Sequence, residues 1–218
     1  MKHFKVFSMV LVLLTVSTMT SCLNSDNDNN DEEIAKRQAQ LKTEMAASKG
    51  SYSGYLYRTT NDAKNPLDST VVTWRIVNDS TMLMYDVPVS YLASHVSDST
   101  LRARLSAAGT VDMKIKIYYY AAISPLVFCV APEDVDVTAV DDSGVAPELT
   151  QAQATFRFYN TGEVSYDYYS GYQDSYGAYS MTSRESMLRI YPKDIYVGYS
   201  MAQRFDANAE LLWFGKQQ

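Results

Sequence analysis

His95 sits in the stretch SYLASHVSDS with Ser94, Ser97 and Asp98 beside it, and a serine, a histidine and an aspartate are the parts of a nucleophilic triad. Triad partners converge in space from separate segments, whereas neighbours on one segment point apart. His95 therefore reads as a surface or capping residue. Cys129, in PLVFCV between Pro125 and Pro132, has no cationic neighbour in sequence to hold a thiolate, and reads as a small buried strand residue. Carboxylates cluster at Glu133, Asp134 and Asp136 and again at Asp141 and Asp142. A glycosidase needs two acids facing one bond, which chain spacing cannot show, and both clusters lie beside Pro or Gly as turn residues do. No zinc spacing of His and Cys, no EF-hand loop and no phosphate-cradling glycine loop is present. The expectation is a protein without enzymatic activity, cofactor or metal.

The residue with the clearest chemical role is Cys22. Lys2, His3 and Lys5 open the chain, Val6 to Val16 is almost wholly apolar, and Ser17 to Ser21 is small and polar apart from Met19. A membrane-crossing helix needs about 20 apolar residues, so this run is too short, and its three parts are those of a secretory signal peptide. Met19-Thr20-Ser21-Cys22 resembles the lipobox of bacterial lipoproteins, in which the cysteine becomes the first residue and is acylated. Met19 departs from the usual leucine there. Plain secretion with an incidental Cys22 is the alternative. After it, Asp26, Asp28, Asp31, Glu32 and Glu33 crowd a stretch with no basic residue, too polar to bury surface and read as a tether. The same stretch resembles the acidic export signal of Bacteroidetes surface lipoproteins; a plain linker is the simpler reading. Segments are thus expected at 1–21 (signal), 22–33 (tether), 34–49 (a short helix whose first turn reaches back to Glu32) and 50–218 (one β-rich domain). The expected location is the outer membrane, facing the cell exterior.

A second concentration is aromatic. Of 18 tyrosines, Tyr166, Tyr168, Tyr169, Tyr172, Tyr176 and Tyr179 fall within YDYYSGYQDSYGAYS, residues 166–180. Tyr166 and Tyr168 suit a strand. Tyr169, Tyr172, Tyr176 and Tyr179 surround Gly171 and Gly177 in an expected loop or ragged hairpin, and amphipathic rings among Ser and Gly are what recognition loops use. They are the candidate ligand-binding residues, for a glycan or an envelope protein. Packing of these rings on their own domain is the competing reading.

The elements that would position these residues follow from periodicity. Ile34, Leu41 and Met45 recur at helical spacing before Gly50, and Asp31 can cap the start. From Ser51 the period becomes two: Tyr52 and Leu56 oppose Tyr55 and Tyr57, and Val72, Trp74 and Ile76 oppose Thr73 and Arg75. A third strand resumes at Met82 and Met84. The cleanest alternation sets Val111, Met113, Ile115 and Ile117 against Asp112, Lys114 and Lys116, a strand with one wet face. Further strands are expected at 126–130, 135–140, 154–159, 164–168, 187–191, 195–199 and 211–214. NTGE at 160–163 and PKD at 192–194 read as hairpin connections. One helix, with Leu101, Leu105 and Ala108 on one side, starts at Asp98 or Ser99 and ends at Gly109. The fold class is mainly β: an antiparallel sandwich or lipocalin-like barrel of about ten strands with one or two short helices.

The formal charge of −6 gives no counterion-release drive toward nucleic acid. With Cys22 modified, Cys129 has no disulfide partner, so packing must hold the domain. The plan of signal, acidic tether, helix before KGSYSGYLYRTTND, the block DSTVVTWRIVNDSTMLMYDVPVSYLASHV and LRIYPKDIYVGYS resembles small Bacteroides-type lipoproteins, specifically the family of the domain of unknown function 4840. That resemblance implies location and fold and brings no catalytic residue. The leading expectation is a non-catalytic binding module. Alternatives are a fimbrial or envelope-assembly subunit acting through a strand edge, and a carboxylate-dependent hydrolase.

Overall fold

A computed structural model describes residues 30–59, 67–121, 126–138, 153–159, 175–205 and 209–218. The chain divides between Lys36 and Arg37. The described part before the division belongs to helix α1 (Asn30–Ser48) and carries an exposed Lys36–Glu32 ion pair at 2.7 Å. The helix starts at Asn30, so residues 30–33, expected in the tether, are helical. The expected signal, Cys22 and the rest of the expected tether lie outside the described residues.

From Arg37 onward the described elements are β1 (Gly50–Thr59), β2 (Leu67–Asn78), β3 (Thr81–Pro88), α2 (Val89–Leu92), a 3₁₀ turn (Ala93–His95), α3 (Ser99–Ser106), β4 (Thr110–Ala121), β5 (Leu126–Pro132), β6 (Val135–Thr138), β7 (Gln153–Phe158), β8 (Tyr176–Ser180), β9 (Glu185–Ile190), β10 (Pro192–Val197), β11 (Ser200–Arg204) and β12 (Leu211–Gln217). Eight strands close an antiparallel barrel in the order β1-β12-β9-β8-β5-β4-β3-β2. Each barrel strand pairs with the next one along the chain, and two hairpins interrupt the series. β6–β7 follows β5 and β10–β11 follows β9, and the two join through β7–β10 into a second sheet ordered β11-β10-β7-β6. β5 and β9 run in the same direction, so both insertions leave from one end of the barrel, called the far end below. The end where α1 enters is the near end.

The register explains the closure. Met113, Ile115 and Ile117 on β4 are buried while Lys114 and Lys116 are exposed, as their alternation requires. On β3 a bulge between Met84 and Val87, with Asp86 at φ 53°, keeps both apolar side chains inside. Eight strands leave an interior just wide enough for side chains. Here Tyr52, Trp74, Phe128, Tyr179 and Trp213 fill it, all essentially inaccessible to solvent. Two glycines make room: a Cβ on Gly177 would lie 2.3 Å from the Phe128 ring, and one on Gly215 would lie 2.4 Å from the Trp74 ring. Rings thus rest directly on bare backbone.

Each end is sealed. At the near end the last turn of α1 meets tyrosine hydroxyls. Tyr52 Oη donates to Ser48 O, Tyr179 Oη is 3.0 Å from Ala47 O, and Ser48 Oγ is 3.2 Å from Tyr119 Oη. Burial pushes all three tyrosines above the ordinary phenol range. At the far end Leu92, Val96, Leu105, Phe156 and Phe205 are buried, and the two phenylalanine rings stack at 6.4 Å. Arg58 clamps this cap: its Nε and Nη2 donate to Asp68 Oδ2 (3.1 and 2.8 Å), its Nη1 donates to Ser90 O (2.9 Å), and its guanidinium lies 4.4 Å from the Tyr91 ring centroid. That guanidinium holds the Asp68 carboxyl below its usual range.

Several expectations change. Tyr176–Ser180, expected as a loop or ragged hairpin, is barrel strand β8. Pro192–Asp194 is not a hairpin connection, because β9 and β10 do not pair; the chain passes there from the barrel to the second sheet. Cys129 is half-buried and faces outward rather than lying in the core. The α2–3₁₀ segment and β11 were not anticipated by periodicity. Helix α3 agrees with expectation, with the Asp98 side chain accepting from Leu101 N at 2.9 Å. NTGE, Asp141, Asp142 and the strand expected at 164–168 lie outside the described residues.

Candidate binding surface

The full interior directs attention to the outer wall. Odd-numbered residues of β1 point outward, opposite Tyr52 and Leu56. The register aligns Val71, Tyr55, Phe214, Met187, Ala178 and Val127 into one row across six adjacent strands. A parallel row runs Ser69, Tyr57, Leu212, Arg189, Tyr176, Cys129 and Tyr118. At about 4.8 Å per strand the first row extends roughly 25 Å. Exposure is uneven along both rows. Met187, Ala178 and Leu212 are buried, whereas Tyr55 is 47% and Val71 64% exposed.

The accessible end is therefore on β1 and β2. Tyr55 and Tyr57, two residues apart on one face, have ring centroids 6.1 Å apart and an interplanar angle of 45°. Burial, and then the neighbouring Tyr55, raise the Tyr57 phenol above its ordinary value. Ser53, Ser69 and Thr73 flank the rings in register. The arrangement offers aromatic faces with a hydroxyl rim. On the opposite side β2, β3 and β4 turn Arg75, Leu83 and Lys114 outward in one row, two cations about a leucine.

The tyrosines singled out by sequence separate. Tyr176 is half-buried on the outer wall, with the Arg189 guanidinium 5.8 Å from its ring centroid and Arg189 Nε 3.3 Å from Glu210 Oε2. Tyr179 points into the barrel and is 2% exposed, so its ring cannot stack on a ligand; the recognition role expected of it is withdrawn. Strand alternation about Gly177 places the two on opposite faces. Tyr169 and Tyr172 lie outside the described residues. Tyr55 and Tyr57 were legible as one face of a strand, but no local signal marks that face as the exposed one.

The other candidates for chemistry are engaged structurally. Ser94 Oγ donates to Tyr91 O (2.7 Å), Ser97 N and Oγ donate to Gln203 Oε1 (2.7 and 2.9 Å), and Asp98 caps α3. Glu133 pairs with Lys114 at 2.9 Å, and Asp136 accepts from Thr155 Oγ1 at 2.6 Å. Among the described residues, no three or more of His, Cys, Asp and Glu gather as metal ligands. No described helix is long and apolar enough to cross a membrane, which leaves strand-built membrane proteins unaddressed.

No curated protein and no solved structure matches the chain. Residues 47–197, from the last turn of α1 through β10, match the family model described as Domain of unknown function (DUF4840). The β12 strand that closes the barrel lies beyond that span. With more than half of its length matched, the chain belongs to the DUF4840 family.

Proposed function

We propose that this protein is a non-catalytic binding module, lipid-anchored through Cys22 to the outer membrane and exposed to the exterior, that holds a glycan against the Tyr55–Tyr57 face of its barrel. The observation that carries the reading is an exposed Tyr55 ring beside a half-buried Tyr57 ring on the outer wall of a barrel whose interior is already full. A carrier of the lipocalin kind needs a cavity; side chains occupy that volume here, so a ligand has to be met outside. Sugar rings present apolar C–H faces that stack on tyrosines, while Ser53, Ser69 and Thr73 supply hydroxyl partners. The acidic run Asp26 to Glu33 is taken as the export signal and the acylated Cys22 as the anchor. Assembly through a strand edge has less to act on: barrel closure removes edges, and the second sheet ends in strands of only four and five residues, β6 and β11.

Native electrophoresis through gels containing dissolved polysaccharides tests the binding. The combined Tyr55→Ala and Tyr57→Ala change should weaken retardation about 5- to 150-fold, two stacking contacts of about 0.5–1.5 kcal/mol each. Failure of every polysaccharide tested to retard the wild type would sink the glycan reading. The anchor is tested in the same strain, where Cys22→Ser should move the protein to the soluble fraction.

A further inference from the structure

We infer that the Tyr55–Tyr57 face takes an acidic sugar chain, a polyuronate, whose carboxylates are met by Arg75 and Lys216. The inference rests on the glycan reading above and adds the class of glycan.

The face is open on the strands concerned. On β2 the outward residues Ser69, Val71, Thr73, Arg75 and Val77 are all exposed, as are Tyr55 on β1 and Lys216 on β12. The register sets Arg75 opposite Ser51 on one flank of β1 and Lys216 opposite Ser53 on the other. Tyr55 is the next outward residue of β1 after Ser53. At about 3.4 Å per residue and 4.8 Å between strands, the backbones of the two cations lie roughly 12 Å apart, and that of Tyr55 roughly 8 Å from Lys216.

These two cations are unmatched. Lys49, Arg58, Lys114 and Arg189 each stand within 3.3 Å of a carboxylate oxygen. Arg75 and Lys216 make no ion pair among the described residues. The register neighbours of Arg75 are Ser51 and Leu83; Lys216 has Ser53 on one side and the half-buried Glu185 on the other. In a chain of formal charge −6, two free cations beside two rings reverse the sign locally. The rest of the molecule repels a polyanion, and this face attracts it.

A uronate chain matches the set. The C–H face of one sugar lies on Tyr55, the planar Arg75 fork meets a carboxylate with two parallel hydrogen bonds, and Lys216 meets another as a point charge. In an extended chain successive carboxylates point to alternate sides. Laid along β1, such a chain presents one carboxylate to Lys216 and a later one to Arg75, with Ser51, Ser53 and Thr73 left for its hydroxyls. A neutral chain leaves both cations without a partner. A small anion cannot span the two flanks.

Calorimetric titration tests this, using the chain from residue 22 with Cys22→Ser to keep it free of lipid. The probes are galacturonate and mannuronate oligomers, the methyl esters of both, and dextran and mannan. Expected is binding of at least one acidic oligomer. Esterifying it, or making the Arg75→Gln, Lys216→Gln double change, should weaken binding about 2- to 30-fold, the worth of two exposed ion pairs. Arg75→Glu with Lys216→Glu should abolish it. Both positions are exposed, so these variants should fold as the wild type does. Equal binding of acid and ester, or binding of dextran or mannan alone, overturns the acidic class; loss of that binding in the Tyr55→Ala, Tyr57→Ala protein leaves the barrel-wall reading standing. Acid binding unchanged in both cation variants overturns the inference. Acid binding lost in the cation variants but intact in the tyrosine variant overturns the ring contact, and with it the barrel-wall reading, while the cation pair stands. No binding of any probe overturns both.

Discussion

At the near end of the barrel the closing contacts are hydroxyl to carbonyl: Tyr52 to Ser48 O, Tyr179 beside Ala47 O and Gln217 Oε1, Tyr119 beside Ser48 Oγ. At the far end they are ring to ring and aliphatic, with Phe156 on Phe205 and Leu92, Val96 and Leu105 beneath. The difference has a cause in the chain. The near end receives the end of a helix, whose last carbonyls have no partner within the helix, and phenol hydroxyls satisfy them. The far end receives a whole second sheet and a helical segment, each with an apolar side to bury. Hydrogen bonds exchanged for bonds to water contribute little net but are directional. Apolar burial contributes more and fixes no orientation. The near seal thus sets how α1 docks, while the far seal supplies stability and holds the second sheet.

The comparison breaks most readily at Phe156. Phe156→Ala should cost on the order of 3–5 kcal/mol, the usual loss for a buried aromatic with a cavity left behind. Urea unfolding of the purified domain measures it, and a cost below about 1 kcal/mol would mean the stack with Phe205 does not hold the second sheet. The near end should respond less. Tyr52→Phe removes the donor to the Ser48 carbonyl, at about 1–3 kcal/mol, and Tyr179→Phe should cost less because Gln217 Nε2 also donates to Ala47 O at 3.1 Å. The near end should also respond to alkali, through three such phenols where the far-end cap has Tyr91. The folded-state pKa values of Tyr52, Tyr119 and Tyr179 are raised, so above about pH 10 the unfolded chain loses phenol protons that the folded chain keeps. Stability from these groups is complete below that pH and is lost as pH rises through it, at up to about 1.4 kcal/mol per pH unit for each. Unfolding midpoints between pH 8 and pH 11 should fall less steeply in the double phenylalanine variant. An unchanged slope would show that these hydroxyls are not sealed in the folded protein.

The same contrast explains what could be read from the sequence. The outward charges of β4 are strictly spaced against Met113, Ile115 and Ile117, so that strand announced itself. The strand β8 did not: YGAYS has the composition of a loop, and its glycine is there because the Phe128 ring from the neighbouring strand lies on it. That requirement is written in β5, far away in the chain. Barrel and sandwich could not be separated for a similar reason, since closure rests on β1 pairing with β12 across the whole domain. Alternation placed Tyr55 and Tyr57 on one face opposite Leu56, yet only closure makes that face the outer one. Asp194, within PKD, carried the composition of a turn, and its place in a sheet depends on pairing with Arg157 and Arg204 from two other strands.

The smallest effect should come from the rim of the near end. Lys49 Nζ and Asp79 Oδ1 are 2.7 Å apart, joining the residue after α1 to the β2–β3 turn, and both side chains are well exposed. Exposed pairs contribute about 0–1 kcal/mol, because water screens the attraction and two mobile side chains must be ordered to make it. Asp79→Ala should therefore change stability by at most that amount, and the change should shrink further in about 1 M salt, where the Debye length is only about 3 Å. Urea unfolding at low and high salt reads both. A cost near that of Tyr52→Phe, screened away by salt, would mean that surface charge holds α1 against the barrel and that the tyrosine hydroxyls merely fill the space beneath it.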